Sequence, residues 1–262
     1  MKKILDLFSP NKRVNKQTML LMIAVQLVIT IGVWFTTSSP LIPKPGEILT
    51  SLSMLLSSEG LAQELYISTM MCLHAMLLTI IISLIVSYAT VMPFFKPIAF
   101  VITKFRFLTL VGLSFVFTLL TSNGYNLKIS LLTFGMTVFF VTSLVQVIQG
   151  ITKNEYNHAR TLGMSEWKVV WQVVIRGKLD TVFDIIRQNF AIAWMMVTMV
   201  EGISRSDGGV GTMLLNQNKH LHLDAVFAIQ LMVLAMGITQ DYLFGVAKGL
   251  VCPHATLTVE QK

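Results

Sequence analysis

Long apolar stretches separated by short polar ones dominate the pattern of the chain. Six stretches have about the length that a helix needs to cross the hydrocarbon core of a bilayer, roughly 20 mostly apolar residues. They cover residues 19–36, 65–92, 107–121, 127–148, 181–203 and 225–247. The third is short and the fifth carries charged residues. The pattern predicts an all-α integral membrane protein with about six transmembrane helices.

The composition agrees with a membrane protein. Of the 262 residues, 54% are hydrophobic and only 13% are charged, whereas soluble domains carry about 25% charged residues. No tandem repeat, low-complexity tract or flexible linker divides the apolar part. We therefore expect a single transmembrane domain over residues 19–250, with short segments at 1–18 and 251–262 on either side of it.

Lysine and arginine lie mostly on one side of the predicted spans. Fifteen of the 20 basic residues fall in the N-terminal segment, in the tail and in the loops after the second and fourth spans. Cytoplasmic loops carry such an excess, so both termini and the loop at 150–180 are predicted to be cytoplasmic. The same bias accounts for the net charge of +7. No basic motif studded with aromatic residues points to nucleic acid as a partner.

The first apolar stretch and the segment after it predict how the chain begins on the outer side. The stretch leads into "TTSSPLIPKPG" instead of a cleavage site with small residues, which favours a retained span over a signal peptide. Prolines at positions 40, 43 and 45 favour extended backbone, and the apolar spacing within 47–56 then predicts a short helix on the outer surface. The lipid bilayer is thus an expected partner.

A polar segment, "NEYNHARTLGMSEWKVVWQVVI" at residues 154–175, lies between the fourth and fifth spans. Residues 153–162 suit a short helix, Gly163 can take the left-handed conformation that ends it, and Ser165 fits the N-cap of a second helix. The second helix would have one apolar face, formed by Trp167, Val170, Trp171 and Val174. Two interpretations stand side by side: a knob that docks on a cytoplasmic partner, and an amphipathic helix that rests on lipid headgroups.

This segment resembles a loop of bacterial ABC importer permeases. "HARTLGMS" followed by an apolar helix, in the last cytoplasmic loop before two final spans, is similar to the E-A-A-x-x-x-G loop of that family, and most similar to its nitrate, sulfonate and taurine branch. "PLIPKPGEIL", "DIIRQNFAIAW", "MVEGISRSDGGVGTML" and "DYLFGVAKGLVCPHATL" resemble further family segments in the same order. The resemblance covers roughly residues 19–257. It implies the type I ABC importer permease fold in a bacterial cytoplasmic (inner) membrane.

The resemblance also implies a division of labour among subunits. This chain and a second permease copy or a paralogue would form the translocation path, two cytoplasmic ATPase subunits would drive it, and an outer solute-binding protein would deliver the solute. The chain has no G-x-x-x-x-G-K-[ST] phosphate loop, so it would be a non-catalytic subunit without a cofactor. The positions assigned to ATPase coupling lie within residues 153–168 and are Asn157, His158, Ala159, Arg160, Leu162, Gly163 and Ser165.

The loop departs from the family pattern at several positions. Asn157 stands at the usual acidic position, His158 stands at the first alanine, and Ile175 and Arg176 replace the usual Leu-Pro pair. These departures leave open an alternative in which the chain is a diverged or regulatory permease-like subunit of a heteromeric ABC transporter. A third alternative, an intramembrane enzyme, would need a catalytic pair or a metal cluster inside the spans, and the sequence shows neither.

Polar side chains inside the spans are candidates for the solute path, because such groups are costly in lipid and usually face a cavity or a partner. Arg187, Gln188 and Asn189 lie in the cytoplasmic third of the fifth span. Arg187 could neutralise an anionic solute or pair with Asp184, three residues earlier. Glu201 suits an acceptor for the following Gly-rich turn better than a solute ligand, since a carboxylate repels an anion. The resemblance to the nitrate, sulfonate and taurine branch implies import of a small anionic solute.

No metal or nucleotide site is predicted. His220 and His222 are two residues apart and would not share a helix face, while Cys72 and Cys252 have no ligand spacing. "DGGVG" at residues 207–211 is interpreted as a turn, because no strand precedes it as a nucleotide-binding loop would require.

Overall fold

The computed structural model describes residues 15–36 and 42–253, and within these ranges the chain is helical without a β-strand. This confirms the all-α prediction. The predictions for residues 1–14, 37–41 and 254–262 lie outside the described residues. The helices are α1 (Lys16–Thr36), α2 (Pro45–Ser57), α3 (Leu61–Ala89), α4 (Lys96–Lys104), α5 (Leu110–Leu120), α6 (Gly124–Gln149), α7 (Lys153–Thr161), α8 (Glu166–Val169), α9 (Leu179–Ile203), α10 (Val210–Lys219) and α11 (Leu223–Val251).

Within the described ranges, four helices are long and apolar enough to cross a membrane: α1, α3, α6 and α11. Their most apolar windows have mean hydropathies of 2.2, 2.3, 2.0 and 1.6 respectively. Helix α9 has 25 residues, but its four charged side chains make it more polar than these four. These five helices match predicted spans: α1 is the first, α3 the second, α6 the fourth, α9 the fifth and α11 the sixth.

The third predicted span, 107–121, is a broken one. Only α5 covers it, with 11 residues, and a helix of that length rises about 16 Å, against about 30 Å for the hydrocarbon core. Leu108 and Thr109 have extended backbone that interrupts the helix, and the chain bends by 112° between 93–107 and α5. The apolar run continues across this break, so the sequence suggested one straight helix. We call residues 93–120 the elbow.

The core lies between α3, α6 and α9. Phe140 of α6 and Trp194 of α9 are among the large side chains buried in its apolar cluster. On α3, Thr79, Ser83 and Ser87 recur every four residues and are completely buried. Small side chains at a helix interface let two backbones approach closely, and this accounts for the tight packing of α3 in the bundle.

The short helix predicted at 47–56 is confirmed as α2. It packs against α11, and Ile48 and Leu55 are buried in a second apolar cluster that also contains Ile229. Ser51 of α2 donates a hydrogen bond to Asp224 at the start of α11. Helix α1 differs, since none of the residues in its apolar window is buried within the chain.

Two polar regions lie at opposite ends of the bundle. Residues 206–211, which we call the glycine turn, follow α9 and are contacted by Glu64 and Lys128, near the starts of α3 and α6. The loop at 150–178 lies between the far end of α6 and the start of α9. The first part of the elbow, residues 93–107, lies at this second end as well, because it follows the last turn of α3 and Ala99 packs on Val141 in the second half of α6, whereas α5 leads back to the start of α6.

Candidate functional site

A compact helical knob, residues 152–168, projects from the end of the bundle. Thr152 caps α7: its hydroxyl accepts from the Glu155 N–H at 3.4 Å, and its own N–H donates to the Glu155 carboxylate at 3.1 Å. At the other end, the Gly163 N–H donates to the Arg160 carbonyl at 2.9 Å and the Met164 N–H donates to the Ala159 carbonyl at 3.4 Å. These two bonds form a Schellman motif.

Gly163 ends α7 in the left-handed conformation, with φ of +76°, and this prediction is confirmed. Ser165 occupies the predicted N-cap position of α8, but its hydroxyl makes no capping hydrogen bond. The Val169 N–H instead donates to the Ser165 carbonyl at 2.9 Å. The knob is therefore shaped by its backbone at Gly163 and by the Thr152 cap.

The predicted coupling residues divide into one buried and six exposed positions. Ala159 is buried against its own chain, with 5% of its surface exposed. Leu162, at the turn, leaves 64% of its surface exposed. The exposed positions are Asn157, His158, Arg160, Leu162, Gly163 and Ser165. The structure thus brings all seven together on one small knob with an apolar tip.

Two ion pairs brace the knob. Arg160 forms two hydrogen bonds to Glu166 across the Gly163 turn, at 2.8 and 2.9 Å, and they hold the pKa of the Glu166 carboxyl below its usual value. Lys178 lies 2.9 Å from Glu155, and its hydrogen bond lowers the pKa of Glu155. Carboxylates with lowered pKa stay ionised until the pH falls through the lowered value. The Lys178 pair ties the knob to the residue directly before α9.

The apolar face predicted for the second helix is only partly covered by the rest of the chain. Helix α8 has only four residues and continues as a π-helical turn, Val170–Arg176. Each turn of a π-helix takes up more residues than an α-turn, so the α-helical spacing does not hold. Trp167 and Trp171 are exposed at 71% and 54%, while Val174 is buried together with Val169, which the pattern had not included.

The predicted solute-path residues are only partly brought together. Arg187 pairs in a bidentate manner with Asp241 of α11. Asp184 accepts two hydrogen bonds from Lys248, at 2.6 and 2.7 Å, so the predicted pair of Asp184 with Arg187 is wrong. The two ion pairs join α9 to α11. Sequence reasoning missed Asp241, although an acidic residue inside a predicted span signals a buried partner.

Arg187 lines a groove between α9 and α11 with a volume of about 700 Å³. Asp241 lines it too, so one cation and one anion face the same space. Gln188 is exposed elsewhere, and Asn189 is buried, donating from its side chain to the Ile185 carbonyl at 2.9 Å. The walls are mostly apolar and include Phe190, Trp194, Met195, Leu231, Leu234 and Ile238.

Glu201 lies away from that groove and is completely buried. Its carboxylate accepts from the Ser68 hydroxyl at 2.6 Å and from the Gly211 N–H at 2.8 Å, at the start of α10. A carboxylate is favoured at a helix N-terminus because the first N–H groups have no partner within the helix. Lys128, which the sequence analysis did not single out, donates to the carbonyls of Ser206 and Gly208.

Comparison with known proteins places the chain in a transport family. The family described as "Binding-protein-dependent transport system inner membrane component" matches residues 62–247. The chain belongs to this family. It is a permease, the multi-pass inner-membrane subunit of an ABC importer. No curated protein sequence gives a significant match, so the nitrate, sulfonate and taurine branch stays a prediction.

Solved structures share the fold of the permease. Nine solved chains match it. One of them, titled "Crystal structure of an amino acid ABC transporter with histidines", has 14% sequence identity and a TM-score of 0.58, and the match covers 76% of the permease and 96% of that chain. At this identity the likeness concerns the fold alone. It agrees with the type I ABC importer permease fold.

Proposed function

We propose that this permease couples ATP hydrolysis by separate cytoplasmic subunits to the import of a small solute, and that residues 153–168 are the docking site for the ATPase. The observation that carries the proposal is the knob: a rigid, doubly braced projection whose apolar tip, Leu162, has no cover within the described residues. Such a tip fits a groove on a partner protein better than it fits water.

The knob also has a direct connection to the groove. Glu155 contacts Lys178, α9 begins at the next residue, and Arg187 lies about two turns further along that helix. A displacement of the knob would thus be transmitted to α9 through a salt bridge and a continuous backbone. Rigid-body motion of this kind can alternate a path between two openings.

The remaining partners follow from the family. The proposed path lies between this permease and a second copy or a paralogue, and an outer solute-binding protein delivers the solute. The knob end of the bundle then faces the cytoplasm, as the distribution of basic residues predicts.

Leu162→Asp is expected to reduce ATPase association at least tenfold, because it places a charge on the apolar tip without altering any capping contact of the knob. The measurement is co-purification of the ATPase with tagged permease in detergent. Leu221→Asp is the matched control: this leucine is 78% exposed, lies beyond α10 at the opposite end of the bundle and has a φ of +59° that aspartate tolerates.

Equal ATPase retention by Leu162→Asp and by the parent would contradict the docking site.

The alternative, a diverged or regulatory subunit in a heteromeric transporter, draws on Asn157 and His158, which depart from the family pattern. It predicts that the ATPase binds only when a paralogous permease is co-expressed. Binding to this permease alone would exclude the alternative.

The finer part of the proposal is an anionic solute that contacts Arg187. Such a solute would compete with Asp241 for the guanidinium group. Asp241→Asn is therefore expected to preserve or raise uptake of the anion, whereas Arg187→Ala should lower it at least tenfold and Arg187→Lys should lower it less. Uptake is measured in vesicles with the ATPase and binding protein present, normalised to assembled complex.

A purely structural ion pair predicts a different pattern. Both Arg187→Ala and Asp241→Asn would then reduce the amount of assembled complex, and uptake per complex would match the parent in each case. That result would contradict the contact of an anionic solute with Arg187. It would not bear on the proposed docking site of the ATPase.

A further inference from the structure

The elbow encloses an apolar cavity that opens to the side of the bundle. Its volume is about 440 Å³. Its walls come from α3, α6 and the elbow itself. Ile82 and Phe105 in the wall remain 41% and 39% exposed, so the cavity can be reached from outside the bundle. The apolar wall includes Leu78, Ile82, Val86, Ile102, Phe105 and Phe117.

Three basic residues lie close in the sequence to Ile102 and Phe105 of the cavity wall. Lys104 and Arg106 stand on either side of Phe105 in the sequence, and Lys96 begins α4. None of the three forms an ion pair within residues 15–36 and 42–253. The sequence also has no acidic residue between positions 64 and 155. Three positive charges of the elbow thus lack an acidic neighbour along the chain.

Exposed aromatic rings accompany these charges. The Lys104 ammonium lies 4.7 Å from the centroid of the Phe100 ring, and the Arg106 guanidinium lies 5.0 Å from that of Phe107. Phe100 and Phe107 are 62% and 72% exposed. Apolar rings beside basic groups are suited to the boundary between acyl chains and headgroups, where the ring enters the bilayer and the cation stays at its polar surface.

We propose that the elbow binds an anionic phospholipid of the bilayer, with the headgroup against Lys96, Lys104 and Arg106 and one acyl chain in the cavity. Both halves of the site point to this occupant. Basic pockets between transmembrane helices bind anionic headgroups, and an apolar cavity open to the bilayer takes a hydrocarbon chain. A neutral lipid would leave the charges unmatched, and a free phosphate would leave the cavity empty.

The test titrates purified permease with phosphatidylglycerol and, separately, with phosphatidylcholine of the same acyl chains, and counts bound lipids by native mass spectrometry. The parent is expected to bind phosphatidylglycerol at least tenfold more tightly. Lys104→Gln combined with Arg106→Gln should weaken that binding by about 30-fold. Lys153→Gln combined with Lys168→Gln removes the same charge at the knob and should stay within about twofold of the parent.

A second variant tests the cavity without changing the charge. Ile82→Trp adds a large side chain at a wall position that is already partly exposed, so it fills the cavity while the bundle stays folded. It should weaken binding of both lipids at least fivefold, with an unchanged melting temperature as the check on folding. The chain therefore offers one variant for each half of the proposed site.

Four results would overturn the proposal. They are equal affinity of the parent for the two lipids, equal effects of the elbow and knob double variants, unchanged lipid binding by a folded Ile82→Trp, and loss of phosphatidylglycerol binding when the permease is isolated together with its partner subunits. The last result would mean that a protein partner covers the elbow. None of these measurements depends on transport or on ATPase docking, so they stand apart from the proposed function.

Discussion

Gly211→Ala is expected to lower the melting temperature of the purified permease by on the order of 10 °C. A Cβ atom at Gly211 would lie 2.1 Å from the Thr198 carbonyl oxygen. Backbone cannot move aside as a flexible side chain can, so α10 would have to leave α9. The Gly211 N–H would then lose its bond to the buried Glu201 carboxylate, and a buried charged group without its partners is strongly destabilising.

Gly46→Ala is the matched control for this experiment. Gly46 and Gly211 are each the second residue of a helix, but a Cβ atom at Gly46 has no heavy atom within 4 Å. The measurement is thermal unfolding in detergent, followed by size-exclusion chromatography. If the two variants melted within about 2 °C of each other, the close approach of α10 to α9 would not be required for stability.

Gly163→Val is expected to reduce ATPase association at least tenfold, while Gly163→Asn retains it. The left-handed conformation costs an L-residue roughly 1–2 kcal/mol, and asparagine adopts it far more readily than a β-branched residue. Position 163 has no heavy atom within 4 Å of an added Cβ, so the two variants differ in backbone strain and not in a steric clash with the surroundings.

The readout for Gly163 is co-purification of the ATPase, together with protease sensitivity of the loop. Valine should open the Schellman motif and expose the knob to cleavage, whereas asparagine should leave the cleavage pattern of the parent. Undiminished co-purification by Gly163→Val would show that the proposed docking does not depend on the shape of this turn.

Local features of the fold were predictable from the sequence, because their causes are local. Gly163 ends α7 through its own backbone freedom, and α2 forms where the spacing of apolar residues within 47–56 predicts it. The break in the third span could not be predicted from the local sequence. Leu108 and Thr109 are ordinary residues in an apolar run, and their extended backbone reflects the packing of the elbow.

The candidate site also contains contacts that local sequence patterns did not predict. Arg187 was expected to pair with Asp184 because helix spacing shows only neighbours three or four residues away. The structure instead joins Arg187 to Asp241, 54 residues later. Val170, Trp171 and Val174 were likewise predicted with an α-helical spacing, but they lie in a π-helical turn. Pairings across helices depend on tertiary packing, which the spacing of residues along one helix does not show.

The contacts between α9 and α11 determine where the permease can open. Asp184 with Lys248, Arg187 with Asp241, and Trp194 with Gln240 occupy about 15 Å of α9. Sliding one helix past the other by a single turn would break all three at once, with few polar groups of the groove to replace them. We therefore expect α9 and α11 to move as one unit that carries Arg187 and its groove, so that the change between the two openings takes place where this unit meets α3, α6 or a second subunit.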